Sequence, residues 1–276
     1  MPEGDTIHQL AGVLEGELVG RRIQDARIEH QGSRTLADAE VDDVFAVGKH
    51  LFVSTGRWAL RTHMGMHGSW HRYRPGERWR KPRWSASCVL AFGDRDYVCF
   101  AASEVELVDL EGDRHRAFLR RLGPDLLAQG VNPAEAVGRA RERLDPDAPL
   151  VDVLLDQRVA AGIGNVYKSE LLFLEGLAPT TELRAVSDGQ LEAIYARAAG
   201  ALVRNVGPGP RRLRAPRPAE GGSPALDEDP GLWVYGRSGE PCLLCGSSIE
   251  RARLGRHRRG TWWCPGCQPS SLSENG

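Results

Sequence analysis

The residues of this chain whose types and spacing carry chemistry gather toward its two ends. Near the C-terminus stand Cys242-x2-Cys245 and, after 18 intervening residues, Cys264-x2-Cys267. Two such knuckles supply four thiolates to one tetrahedral ion, and zinc suits this donor set. With all four positions filled, a Zn2+ held by Cys242, Cys245, Cys264 and Cys267, one per chain, is structural. A pair of disulfides is the alternative, and a reducing compartment argues against it. The other two cysteines, Cys88 and Cys99, fall on neighbouring strand-like runs and read as buried thiols.

At the N-terminus the chain reads Met1-Pro2-Glu3-Gly4. Small second residues favour removal of the initiator methionine, which would expose the secondary amine of Pro2. With a pKa of about 8 against about 10.4 for lysine, it offers on the order of a hundredfold more free amine at pH 7. Such an amine can attack an aldehydic or glycosidic carbon and form an iminium. Glu3, next door, is of the type that general acid/base catalysis needs. Taken alone, the same residues also suit a plain lead-in to a helix.

Two further features stand out. Only Lys49, Lys81 and Lys168 are lysines among 36 basic residues, so a lysine here departs from the habit of the chain. The segment 150–173 reads as a helix, a glycine-bearing double turn and a second helix starting at Asn165. Asn165 suits an N-cap, while Gly162, Gly164 and the helix start would let a phosphate approach backbone N–H groups. His63, His67 and His71 have helical spacing, but Gly65 and Gly68 interrupt any helix there and rule out a helical metal face.

These groups need a scaffold, and the composition supplies an ordinary one. Of 276 residues, 41 % are hydrophobic and 26 % charged, enough for a sizeable core in more than one compact unit. No run of about 18 apolar residues exists, which excludes a membrane-spanning helix, and the acidic N-terminus lacks the apolar core of a signal peptide. The expectation is a soluble cytoplasmic monomer. Net charge is −1, yet eight basic residues face one acid between Arg57 and Arg83, and Arg251–Arg259 holds a second cluster. Positive stripes on a neutral chain suit a phosphate-tracking surface.

Ile7, Leu10, Leu14 and Leu18 predict an opening helix, capped by Asp5 and ended by Gly20. Strand-like runs follow at 22–29, 44–54, 59–63, 87–92, 97–101 and 104–108, the pattern of an antiparallel sandwich or barrel. From about residue 113 the periodicity turns helical, at 115–122, 133–143, 150–157, 165–174 and 188–206. Ten of the 24 residues from Gly207 to Pro230 are Pro or Gly, which predicts a loop. The expected domains are 1–114, 115–229 with its loop at 207–230, 230–268 around the cysteines, and a disordered tail at 269–276.

Several pieces then assemble in order: Met1-Pro2-Glu3-Gly4, Val47-Gly48-Lys49-His50-Leu51, Leu122-Gly123-Pro124-Asp125-Leu126, and Asp156-Gln157 with Gly162-Ile163-Gly164-Asn165. Val234-Tyr235-Gly236-Arg237, Glu240-Pro241-Cys242 and Arg259-Gly260-Thr261-Trp262-Trp263-Cys264-Pro265-Gly266-Cys267-Gln268 complete the set. Together they resemble the formamidopyrimidine-DNA glycosylase/endonuclease VIII family across nearly the whole chain. The resemblance implies an α+β multidomain fold: an N-terminal β-sandwich opening with a helix, a helix–two-turn–helix domain, and a zinc-finger β-hairpin. It implies damaged DNA as partner, with the lesion nucleotide flipped from the helix. By position it makes Pro2 the nucleophile at sugar C1′, Glu3 the acid/base and Lys49 the catalytic lysine. Arg121, Asn165 and Arg259 match phosphate-binding positions, Arg259 serving also in the later elimination. The implied reaction is base excision through a Schiff base, then β,δ-elimination of the strand.

Three departures bear on specificity. Thr6 stands where the family usually has a second glutamate, with Asp5 beside it. The oxidised-purine branch carries an Arg-x-Phe pair where this chain reads Cys99-Phe100-Ala101-Ala102-Ser103-Glu104-Val105-Glu106, which looks like the endonuclease VIII branch. The wedge filling the gap of the flipped nucleotide would then be Met66, with His67 second. The 207–230 segment lacks a recognisable lesion-recognition motif. Oxidised pyrimidines are the expected substrates; oxidised purines, or a catalytically silent zinc-finger DNA-binding protein, are the alternatives.

Overall fold

The computed structural model describes residues 2–29, 36–214 and 231–269. The chain forms two compact units, 1–121 and 122–276.

The first unit opens with α1 (Gly4–Leu18), whose residues Ile7, Ala11, Leu14 and Leu18 form one buried stripe. Strands β1 (Asp25–Ile28), β2 (Asp43–Val47), β3 (His50–Thr55), β4 (Trp58–His63), β5 (Ser69–Tyr73), β6 (Ala86–Ala91), β7 (Asp96–Phe100) and β8 (Glu104–Asp109) follow. They pair antiparallel into two sheets, ordered β1-β6-β7-β5 and β2-β3-β4-β8. Ala26, Ile28, Cys88, Leu90 and Cys99 of the first sheet share one core with Val44, Leu51, Val53 and Leu60 of the second and with the α1 stripe. This is the expected sandwich. α2 (Asp113–Arg121) packs on β8 and belongs to this unit.

Two readings need correction. The run 44–54 is not one strand but the β2–β3 hairpin, with Val47 opposite His50 and Gly48-Lys49 as its two-residue loop. Gly48 sits at φ 58°, a value that glycine adopts without the steric cost met by other residues, and the apolar residues on both sides of Gly48-Lys49 made the two arms read as one run. Strand β5, Ser-Trp-His-Arg-Tyr, was missed because its polar, basic residues mask the alternation.

The second unit contains α3 (Pro133–Arg143), α4 (Leu150–Leu155), α5 (Asn165–Leu174) and α6 (Asp188–Arg204) around one apolar core, then the hairpin β9 (Glu250–Leu254)–β10 (Arg259–Trp263). Asn132 and Ser187 cap α3 and α6, the latter as a capping box with Gln190. The α4–α5 double turn is tied internally: Gln157 donates to Leu155 O and Ile163 O and accepts from Gly162 N. Gly123 lies so close to it that a Cβ would meet Val159 O at 2.2 Å. That contact accounts for the glycine in the Leu122–Leu126 motif. Among the described residues no helix is long and apolar enough to cross a membrane. Met1, the 207–230 loop from residue 215 on and the tail from 270 on lie outside the described residues.

Candidate active site and nucleic-acid interface

In the first unit Pro2 is half-buried and leads directly into α1. Glu3, fully buried, is the N-cap residue, although its side chain makes no capping bond; Asp5, expected to cap, lies inside the first turn. Asp5 is buried too, and its Oδ1 accepts from Thr6 N at 2.7 Å and from Thr6 Oγ1 at 3.2 Å. Two carboxylates therefore sit within the first turn behind Pro2. α1 packs on β2 and β3, the arms of the hairpin whose loop carries half-buried Lys49. Just past that loop, His50 is buried between the rings of His63 and Phe118. Burial, then His63, Arg61 and Lys49, hold its pKa down to about 3, so the imidazole is neutral.

The turn between β4 and β5 presents the expected wedge residues. Met64 is anchored in the sandwich core, and Gly68 N closes the turn on Met64 O at 2.9 Å. Both glycines are dictated by space: a Cβ on Gly68 would meet Met64 O at 2.4 Å, and one on Gly65, at φ 58°, would meet Ser103 Oγ at 2.9 Å. Met66 is left 49 % exposed and His67 is exposed. Ser103 Oγ bonds His63 O at 2.9 Å, bracing the turn from the β7–β8 connection. That connection is only Ala101-Ala102-Ser103, with no loop long enough to project an Arg-x-Phe pair. Arg121 lies exposed at the end of α2, lining a cavity of about 490 Å³ with Arg61, His115 and Phe118.

The second unit joins Asn165 to the hairpin of Arg259. Asn165 is not the N-cap of α5, which is Gly164. Its buried amide reaches across instead: Nδ2 donates to Gly260 O at 2.7 Å, and Oδ1 accepts from Lys168 Nζ at 2.7 Å. Lys168, fully buried, also donates to Thr261 Oγ1 at 2.7 Å and Gly260 O at 3.3 Å. Arg259, one residue before this clamp, stays exposed. At the far end of the hairpin Arg256 N donates to both oxygens of Asp152, and Arg256 Nη2 to Asp156 Oδ2. Against the upward push of burial, Arg158 and Arg256 hold the Asp156 carboxyl down to about 2. Glu170, also fully buried, accepts from Trp233 N, Val234 N and Tyr235 N at 2.7–2.8 Å. Burial pushes its pKa up, against those three amides.

Lys168, Glu170, Asp152 and Asp156 thus organise the interface without having been singled out as site residues. The rarity of lysine was a usable signal for Lys168. Glu170 had none, since a glutamate on a helix ordinarily reads as its solvated face.

The sulfurs of Cys242, Cys245, Cys264 and Cys267 lie within 4.8 Å of one another, with 3.8 Å between Cys242 and Cys267 and 3.3 Å between Cys245 and Cys264. These separations are far longer than a disulfide bond. Burial and then the neighbouring thiols push the Cys267 thiol above its usual range. The cluster could hold a metal ion.

Comparison with known proteins agrees with this geometry. Residues 1–103 match the formamidopyrimidine-DNA glycosylase N-terminal domain, and residues 122–212 the H2TH domain of the same enzymes. Endonuclease 8 2 of Mycobacterium bovis is 38 % identical over 97 % of this chain and 100 % of its own length. The chain belongs to the formamidopyrimidine-DNA glycosylase/endonuclease VIII family. Its likeness is to the endonuclease VIII branch. DNA-(apurinic or apyrimidinic site) lyase Nei2 of Mycolicibacterium smegmatis is 36 % identical over 98 % of this chain and 100 % of its own. The fold is that of Lactococcus lactis formamidopyrimidine-DNA glycosylase, solved bound to DNA containing an AP site, with a TM-score of 0.78 at 20 % identity. That match covers 98 % of this chain and 100 % of the other.

Proposed function

We propose that this protein is a bifunctional DNA glycosylase and AP lyase of base excision repair, acting through the amine of Pro2 on oxidised bases, chiefly pyrimidines. The observation that carries the reading is the start of α1: Pro2 immediately precedes a fully buried glutamate, in a family whose members include an AP lyase. After Met1 is removed, the Pro2 nitrogen lone pair bonds to C1′ as the glycosidic bond breaks and its electrons leave with the base. Glu3 delivers the proton that opens the sugar ring at O4′, leaving an iminium between Pro2 and C1′. Loss of a C2′ proton expels the 3′-phosphate, a second elimination expels the 5′-phosphate, and hydrolysis returns the free amine. Lys49 supplies fixed positive charge beside the reacting sugar.

Arg121, Asn165 and Arg259 are the proposed phosphate contacts, and Met66 with His67 the wedge in the gap left by the flipped nucleotide. The short β7–β8 connection favours oxidised pyrimidines over oxidised purines. Zn2+ is the metal the four thiolates would hold; once bound, it ties the two knuckles together and takes no part in the chemistry.

Borohydride reduces an iminium to a stable amine, so it traps the intermediate and not mere affinity. Trapping of a covalent adduct on abasic or oxidised-pyrimidine duplex is expected, with its loss when a tag is fused upstream of Pro2. Undiminished trapping by the blocked protein would overturn the assignment and point to a side-chain amine, Lys49 first. Glu3→Gln is expected to impair base removal more than cleavage of preformed abasic sites, which need no leaving group activated.

A further inference from the structure

The segment between β5 and β6 carries a tryptophan that the site described so far does not use. Trp84 is 84 % exposed, the most exposed large apolar side chain among the described residues. Burying an indole is strongly favourable, so one held out in water invites a function. It is also held rigidly. Its short helical turn, Arg83–Ser85, is closed by Ser85 N on Pro82 O at 3.0 Å and by Ser85 Oγ on the same oxygen at 2.7 Å. Ala101 N donates to Ser85 O at 2.7 Å, fastening the turn to the end of β7.

Five residues earlier Trp79 does the opposite. It packs inward, stacked on Tyr73 at 6.0 Å and edge-on to Phe100 at 5.6 Å, with the Arg83 guanidinium over its outer face at 4.7 Å. Arg80 N donates to Tyr73 Oη at 3.1 Å, and Lys81 Nζ donates to Ser69 Oγ at 2.9 Å and His67 O at 3.2 Å. One tryptophan anchors the segment and the other is displayed. Lys81 ties the segment that displays the ring to the turn that carries Met66.

The surroundings of Trp84 select its occupant. Arg78, Arg80 and Arg83, its near neighbours along the chain, are exposed, and no acidic residue lies between positions 78 and 84. A groove of about 280 Å³, lined by Arg27, Ile28, Glu29, Trp79, Arg83 and Val89, opens beside the same segment. A protein partner would call for a contiguous apolar patch, whereas here the exposed neighbours are guanidinium groups. Cations set around a rigid aromatic face are the arrangement that tracks a phosphate backbone and stacks a base. Inside duplex DNA both faces of each base are already stacked, so a flat indole finds a partner only where a base is unpaired.

We infer that Trp84 is a stacking platform for an unpaired base of single-stranded DNA, with Arg80 and Arg83 taking its flanking phosphates. This rests on the DNA-processing reading above and adds to it a contact outside the lesion site. The test measures the affinity of the full chain for a fluorescent oligo(dT) and for a blunt duplex holding one abasic site. Trp84→Ala is expected to weaken oligo(dT) binding by about 5- to 150-fold, the range that one stacked base gives. The loss should exceed that on the blunt duplex at least several-fold. Trp84→Phe should recover most of the affinity, because stacking needs an aromatic face and not the indole N–H. Equal losses on both DNAs, no loss on oligo(dT), or failure of Phe to rescue would each overturn the platform. Absence of wild-type binding to either DNA would instead refute the DNA reading on which it rests.

Discussion

Lys168→Met tests how the second unit holds its hairpin. The substitution keeps an unbranched side chain of similar length and removes the ammonium. In the wild type, Nζ satisfies Asn165 Oδ1 and Thr261 Oγ1, each at 2.7 Å, and adds a longer bond to Gly260 O at 3.3 Å. Gly260 O keeps its bond from Asn165 Nδ2, and Thr261 Oγ1 keeps its own to Arg259 O. Two acceptors therefore lose a charged donor in a fully buried place. Each orphaned acceptor costs about 1–3 kcal/mol. The variant recovers part of that, because it no longer desolvates an ammonium on folding. A net loss of about 3 kcal/mol is expected, which for a unit of this size lowers Tm by roughly 6–12 °C. Calorimetry at fixed zinc would measure it, with DNA affinity recorded on the folded variant. Affinity should fall as well, since Arg259 stands beside the loosened clamp. A Tm within about 2 °C of wild type would refute the reasoning; it would mean that the Asp152 and Asp156 contacts to Arg256 hold the hairpin unaided.

Other outcomes follow from the same geometry. Native mass spectrometry should find one zinc per chain, and Cys264→Ser or strong chelation should unfold the knuckles and abolish DNA binding, because so small a cluster depends on its metal to fold; binding untouched by metal loss would contradict this. Arg259→Ala should weaken DNA affinity without lowering Tm, since the residue is exposed, and should flatten the slope of log affinity against log salt by about one unit; an unchanged slope would take Arg259 off the phosphates. His50 stays neutral in the fold down to about pH 3, while in the unfolded chain it takes up a proton near pH 6.5. Over that window the unfolded state holds one more proton. His50 should therefore contribute a fall of about 1.4 kcal/mol in the stability of the first unit for each pH unit lost below 6.5, beside what His63, His71 and His115 add, since burial lowers their pKa values too. Urea unfolding at pH 7 and pH 5 would measure the fall, and His50→Phe should flatten it; an unaltered slope in that variant would assign the proton elsewhere.

Much of this was legible from residues alone, for reasons that are local. The α1 stripe, the helical periods of α3, α5 and α6, and the alternation of the sandwich strands each follow from a repeat that neighbouring residues impose on themselves. The four cysteines announce their site because thiolate coordination at CxxC spacing needs no knowledge of the rest of the chain. What the residues could not announce is which polar groups would be buried together across long stretches of chain. Lys168 meets Thr261 from 93 residues away, and Glu170 collects amides 63 to 65 residues on. Asn165, readable from sequence as a cap or a phosphate contact, also braces the Arg259 hairpin because α5 packs on β10. Local sequence decides helix or strand, since the competing conformations differ by contacts within a few residues. The partner of a buried lysine is decided only when the packed core brings distant acceptors within reach, because taking that charge out of water is tolerable only where they wait.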